Sequence, residues 1–110
     1  MKNAKELIDI LKDVSEDRFD QDLYGAFANP MGCGCAMHHF EVSKFGRNVR
    51  SNEFDHNKYF GLDSSEWFYI FGACETINEV AKIMSWPTCE EFTVQTAIER
   101  IKFIDKLHKL

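Results

Sequence analysis

The chain has 110 residues, of which 45% are hydrophobic and 28% are charged. This composition is typical of one folded domain with its own core, and it excludes a disordered chain. The 18 acidic and 13 basic residues give a formal charge of −5, which argues against nucleic-acid binding, because proteins that bind phosphate backbones present a basic face. No apolar run is long enough to span a membrane, and the first residues do not form an apolar signal region. We therefore expect a cytoplasmic protein with reduced cysteines.

Four pairs of residues have the spacing of helix N-terminal capping boxes, in which an Asn, Asp or Thr is followed three residues later by Glu. The pairs are Asn3/Glu6, Asp63/Glu66, Thr76/Glu79 and Thr88/Glu91. With the apolar periodicity that follows each pair, they predict helices over residues 4–14, 63–72, 76–86 and 88–107.

The middle of the chain gives weaker signals. Residues 35–45 predict a short helix, residues 46–61 a long polar loop, and residues 19–27 at most a short strand piece. The sequence therefore predicts an all-α fold, with residues 1–110 forming a single domain of about five helices. The last helix is expected to pack along the first through Leu7, Leu11, Ile98 and Ile101. Its solvent-facing side is assigned to Glu99, Arg100, Lys102, Lys106 and Lys109.

Residues 32–39 contain two of the four cysteines and two of the four histidines. Cys33, Cys35, His38 and His39 can supply metal ligands, and Cys74 or Cys89 can complete a tetrahedral zinc set. However, the spacing is not that of a standard zinc site, and free cysteine packs like a small apolar residue. The pattern favours packing, so no cofactor is expected and zinc remains the alternative.

The same segment can be interpreted as a nucleophile and base, with Cys35 beside His39 and with Glu41 or Asp55 orienting the imidazole. Acidic surroundings raise the pKa of a thiol, which opposes formation of the reactive thiolate. We therefore assign no catalytic residue and do not expect an enzyme.

An aromatic run from Trp67 to Phe71 makes the helix at 63–72 apolar on nearly all sides. Such a helix is buried, or presents one face to a partner. If a protein partner binds here, Asp63, Trp67, Phe68 and Tyr69 are the expected contacts, and a homodimer is a further option.

A local basic cluster lies in the predicted loop. Arg47, Arg50 and Lys58, with His38 or His39, can bind a nucleotide-like anion. The solvated loop is the simpler interpretation of these charges.

A resemblance to a family of small tailed-phage proteins rests on several short motifs in order between residues 18 and 104. They are Phe19-Asp20, the Cys-Ala-x-x-His segment from Cys35 to His39, Phe60-Gly61-Leu62 with Glu66, and Ile70-Phe71-Gly72. Members typically show a Cys-Gly-Thr-x-x-Cys-x-x-Gly patch before a Gly-Leu…Glu helix. In this chain Pro30 stands at the first cysteine position, and His38 stands where the family has glycine.

The resemblance implies a phage origin, since the family has no established activity. Together with size, acidity and aromatic content, it leads to the hypothesis of a non-enzymatic accessory protein that binds and inhibits a host or defence protein in the host cytosol. The alternative is a small-ligand protein that sequesters a nucleotide-like molecule, and a Cys/His metal-binding domain is third.

Overall fold

The computed structural model describes residues 1–23, 34–50 and 52–110. These residues form six α-helices, and they contain no strand beyond one isolated bridge between Phe19 and Gly34. The helices are α1 (Ala4–Lys12), α2 (Ala36–Phe45), α3 (His56–Phe60), α4 (Ser64–Phe71), α5 (Cys74–Met84) and α6 (Val94–His108), with a 3-10 turn at Glu16–Arg18. The all-α prediction is confirmed. A short strand piece was expected at residues 19–27. In the described part of that range the structure has this single bridge at Phe19, and residues 24–27 lie outside the described residues.

Helices α1, α2, α4 and α6 enclose the core, each packing against two of the others in the order α1, α2, α4, α6 and back to α1, while α5 packs on α4. The predicted contact between the first and last helices is present. Leu7, Leu11, Ile98 and Ile101 are all buried in one apolar cluster. Arg100, which we expected on the solvent side of α6, is only 2% exposed, so that assignment was wrong.

Of the four predicted capping boxes, one forms as predicted and one is replaced by a box further along the chain. Asp63 and Glu66 do form a capping box at α4. The last helix begins at Val94, not near Thr88, because Thr93 and Thr96 form the box that caps it.

The other two predicted boxes do not form. The Asn3 side chain donates to the Tyr59 carbonyl oxygen at 2.9 Å and does not cap α1. Thr76 lies inside α5, which begins at Cys74. Asn3 binds another segment and Thr76 lies inside a helix, so the spacing alone did not identify the caps of α1 and α5.

The segment predicted as a loop at 46–61 contains helix α3. Asp55 caps this helix by accepting from the Lys58 amide at 3.0 Å, and Gly61 ends it with a left-handed backbone angle φ of 64°. Tyr59 and Phe60 from α3 stack against Phe40 of α2 at 5.8 and 4.9 Å between ring centres. The short helix thus closes one end of the core.

Three helix ends are capped by side chains from the turn at residues 16–22. The Glu16 carboxylate accepts from the Val94 amide at the start of α6. Gln21 is buried and donates to the Ile70 and Gly72 carbonyls at the end of α4. Asp22 accepts from the Cys74 amide at the start of α5. Because helix ends leave unpaired backbone groups, this one turn holds three helices in register.

Candidate functional site

Cys35 lies immediately before α2 and is fully buried. Burial, with a smaller contribution from the Glu41 carboxylate, raises the pKa of its thiol to about 11. A thiol with this pKa is protonated at neutral pH and is a poor nucleophile. Its environment fits the packing interpretation. Cys33 lies outside the described residues.

His38 and His39 point to different partners. Nδ1 of the buried His38 is 3.0 Å from Oδ1 of Asn48, and Nε2 of His39 is 2.8 Å from the Arg18 carbonyl oxygen. Burial lowers the pKa of His39. Gly34 makes room for this arrangement, since a Cβ there would lie 2.4 Å from Cγ of His38. Within residues 1–23, 34–50 and 52–110, no three Cys, His, Asp or Glu side chains come together as a metal site.

Among the basic residues at 47–58, Arg47 is engaged in an ion pair and Lys58 lies in a short helix. The Arg47 guanidinium is paired with Glu53 at 2.6 Å, and the same carboxylate accepts from the Arg50 amide. Lys58 lies on α3, beyond the Asp55 cap. His39 lines a cavity of about 500 Å³ together with three carboxylates, those of Glu6, Asp9 and Asp13. Carboxylates disfavour a phosphate-bearing ligand in this cavity, which none of Arg47, Arg50 and Lys58 lines.

A buried polar network, which the sequence did not reveal, anchors the segment between α2 and α3. Glu41 is 0% exposed, and its Oε1 accepts from the Val49 amide at 2.9 Å and from Asn48 Nδ2 at 3.3 Å. Its Oε2 lies 2.7 Å from Nε2 of His56. With the His38 contact to Asn48, two histidines, an amide and a carboxylate hold this loop from inside. The only sequence signal was an acid between two apolar residues, Phe40 and Val42.

The four residues predicted to meet a partner protein divide between surface and core. Phe68 is 44% exposed, Trp67 is half-buried, and Asp63 is exposed at the start of α4. Tyr69 is 1% exposed and its hydroxyl donates to the Pro87 carbonyl oxygen at 2.7 Å. It stacks on Trp86 and Phe103. The prediction that Tyr69 belongs to a contact surface was therefore wrong, because it faces α6.

Trp67 and Phe68 form the rim of an apolar groove of about 200 Å³. We call this groove and its rim the α4 face; it is lined by Met37, Trp67, Phe68, Phe71, Gly72, Ala73 and Thr76. Trp67 also lines a neighbouring cavity of about 300 Å³ with Phe54, Asp55, His56 and Asn57. Neither lining includes Lys or Arg. The arrangement can accept an apolar side chain, with carboxylates at its edge.

No protein-family model matches the chain, and neither does any curated protein or solved structure. None of the helices in the described part of the chain is long and apolar enough to cross a membrane.

Proposed function

We propose that this protein binds another protein through the α4 face and acts by covering a surface of that partner. The observation that supports the proposal is the exposure of Phe68, 44%, beside the half-buried Trp67 at the rim of an apolar groove. Large aromatic side chains bury much area with few rotatable bonds, and they are enriched among the residues that dominate binding energy.

The chemistry of the groove indicates what the partner presents. Its lining is apolar, Asp63 lies exposed one turn before Trp67, and Asp55 lines the adjoining cavity. The whole chain carries a formal charge of −5. A partner segment with a large apolar side chain flanked by Lys or Arg is complementary to this face in shape and charge.

The biological setting follows from the resemblance to tailed-phage proteins. In this setting the chain is an accessory protein that inhibits a host or defence protein without catalysis. The protonated, buried thiol of Cys35 supports the non-enzymatic part of this proposal.

The test is affinity capture from a host lysate with three forms of the full chain: wild type, Phe68→Ala and Ile83→Ala. Ile83 is the matched control, because it is an apolar residue that is 80% exposed on a different helix, α5. We expect a partner that is captured by the wild type and by Ile83→Ala but not by Phe68→Ala. Circular dichroism should show that both variants are folded. A partner retained equally by all three forms, or no partner above background, contradicts the proposal.

A second copy of the chain is one outcome of the same test. Light scattering coupled to gel filtration detects it as a dimer that Phe68→Ala disperses. That result replaces the foreign partner with a homodimer at the same face.

A further inference from the structure

Arg100 on α6 is a buried cation without a carboxylate partner. It is 2% exposed, and its Nη2 donates to Oε1 of Gln21 at 3.1 Å and to the Ile70 carbonyl at 3.4 Å. Its Nη1 donates to Sγ of Cys89 at 3.7 Å, and Nε has no hydrogen-bond partner in the described residues. The guanidinium also lies over the ring of Phe92 at 5.7 Å.

The residues outside the described ranges cannot supply a carboxylate to Arg100. Residues 24–33 and residue 51, which the structure does not describe, contain no Asp or Glu. Every side-chain carboxylate is therefore in the described residues, and none of them forms an ion pair with Arg100. Burying an unpaired charge is costly, so this position favours a bound anion beside the guanidinium.

Cys89 is held next to that charge. The side chain of Asn78 on α5 accepts from the Cys89 amide at 2.8 Å and donates to its carbonyl at 2.9 Å, which fixes the backbone. Cys89 is half-buried and lines a cavity of about 290 Å³ with Arg100. The other residues of the lining are Tyr69, Pro87, Thr88, Thr96, Glu99 and Phe103. Cys89 and Arg100 thus border the same cavity.

We propose that Cys89 and Arg100 form a thiol-modification site that takes a carboxylate-bearing disulfide, of which glutathione disulfide is the probe. This inference is independent of the α4 face. In the step, the Cys89 thiol loses its proton to solvent and its sulfur attacks one sulfur of the disulfide. A bond forms between Cys89 and that sulfur, the original S–S bond breaks, and the released thiolate takes up a proton. Arg100, whose Nη1 lies 3.7 Å from Sγ of Cys89, attracts the carboxylates of the incoming molecule.

The other described cysteines have opposite surroundings. Burial, together with the neighbouring Asp22 carboxylate, raises the pKa of Cys74 to about 12. Cys35 is fully buried. Cys74 is thus an internal control, a half-buried thiol on which the carboxylates of Asp22 and Asp20 act more strongly than Arg100 does.

The experiment compares two disulfides of opposite charge on the Cys33→Ser chain, so that Cys33 does not contribute. Glutathione disulfide is anionic and cystamine is cationic, while the exchange chemistry is the same. Rates are followed for each cysteine by peptide mass mapping. For each cysteine, the rate with glutathione disulfide is divided by the rate with cystamine. We expect this ratio to be at least about fivefold higher at Cys89 than at Cys74, because the attraction between two unit charges at close range in water changes a rate by about that factor. Equal ratios, or a faster glutathione reaction at Cys74, overturn the proposal.

Two variants of the same background separate the charges. Arg100→Gln should lower the glutathione rate at Cys89 at least about fivefold, and Glu99→Gln should raise it, since Glu99 is the carboxylate that lines this cavity. An unchanged rate in folded Arg100→Gln contradicts the role of the guanidinium. If Arg100→Gln does not fold, the two-disulfide comparison on the Cys33→Ser chain decides the question alone.

Discussion

Replacement of Glu41 by Gln tests whether the buried network holds the segment between α2 and α3. The substitution keeps the shape of the side chain and removes its charge. One carbonyl oxygen remains to accept from the Val49 amide, and the new amide nitrogen then faces Nε2 of His56, which lies 2.7 Å from Oε2 in the wild type.

The expected cost follows from the partners that are lost or weakened. A hydrogen bond to a charged group contributes about 1.5–3 kcal/mol, and Oε1 of Glu41 accepts two such bonds, from the Val49 amide and from Asn48. Since Gln preserves part of the network, we expect Glu41→Gln to lower the free energy of unfolding by about 2–3 kcal/mol. Glu41→Ala removes both bonds and should lower it by about 3–5 kcal/mol.

The measurement is urea unfolding followed by far-ultraviolet circular dichroism at neutral pH. The control is Glu53→Gln, because Glu53 anchors the same segment through Arg47 and the Arg50 amide from the solvent side. Exposed ion pairs contribute little, so the control should unfold near the wild-type urea concentration. If Glu41→Gln also unfolds at that concentration, the network does not stabilise the fold and the reasoning is refuted.

Three further predictions concern the core. Ile101→Asp buries an unpaired charge at a position that is 0% exposed and should abolish the helical circular dichroism spectrum. The control, Lys102→Asp on the exposed side of α6, should keep that spectrum. A folded Ile101→Asp chain would show that α6 is misplaced. Burial raises the pKa of Tyr69 to about 12, so the stability that its neutral phenol contributes is complete below pH about 10 and is lost as the pH rises towards 12. Tyr69→Phe should lower the free energy of unfolding by about 1 kcal/mol at neutral pH, and it should reduce the loss of stability at alkaline pH, as measured by urea unfolding at several pH values. A pH dependence identical to that of the wild type contradicts the burial of Tyr69. Gly34→Ala places a Cβ 2.4 Å from the His38 ring and should lower the melting temperature, and His38→Ala in the same chain should recover part of the loss; no recovery would mean that the clash lies elsewhere.

Local signals predicted much of the fold. The periodicity of residues 4–14 and 88–107 located α1 and α6 and their mutual contact, because both helices bury one apolar side. The box at Asp63 and Glu66 was also correct. Helix starts were less predictable where two Thr residues competed, and Thr93 caps α6 instead of Thr88.

Side chains that act across the chain could not be predicted from spacing. Gln21, Asp22 and Glu16 cap helices that lie about 50 to 80 residues away in sequence, and no local pattern marks them. Arg100 is charged and occurs between Glu99 and Lys102, so its sequence neighbours placed it in solvent although its guanidinium binds Gln21 inside the protein. Such assignments depend on tertiary packing.

The candidate site was predicted in part. The aromatic run at 67–71 allowed either a buried helix or one that presents a face to a partner; Phe68 is 44% exposed and lines a groove with Trp67, while Tyr69, Ile70 and Phe71 are buried. Because this helix is apolar on nearly all sides, the pattern contains no polar stripe that identifies its outer face. Tyr69 was therefore placed in the contact surface by mistake, and it packs on Trp86 and Phe103.

Selection from a random peptide library tests protein binding by the α4 face most directly. Peptides are first depleted on the Phe68→Ala chain and then selected on the wild-type chain, with Ile83→Ala as a parallel target. We predict enrichment of peptides that carry a large apolar residue flanked by Lys or Arg, and the same peptides on Ile83→Ala. No enrichment after depletion, or enrichment of acidic peptides, would contradict the proposed binding face.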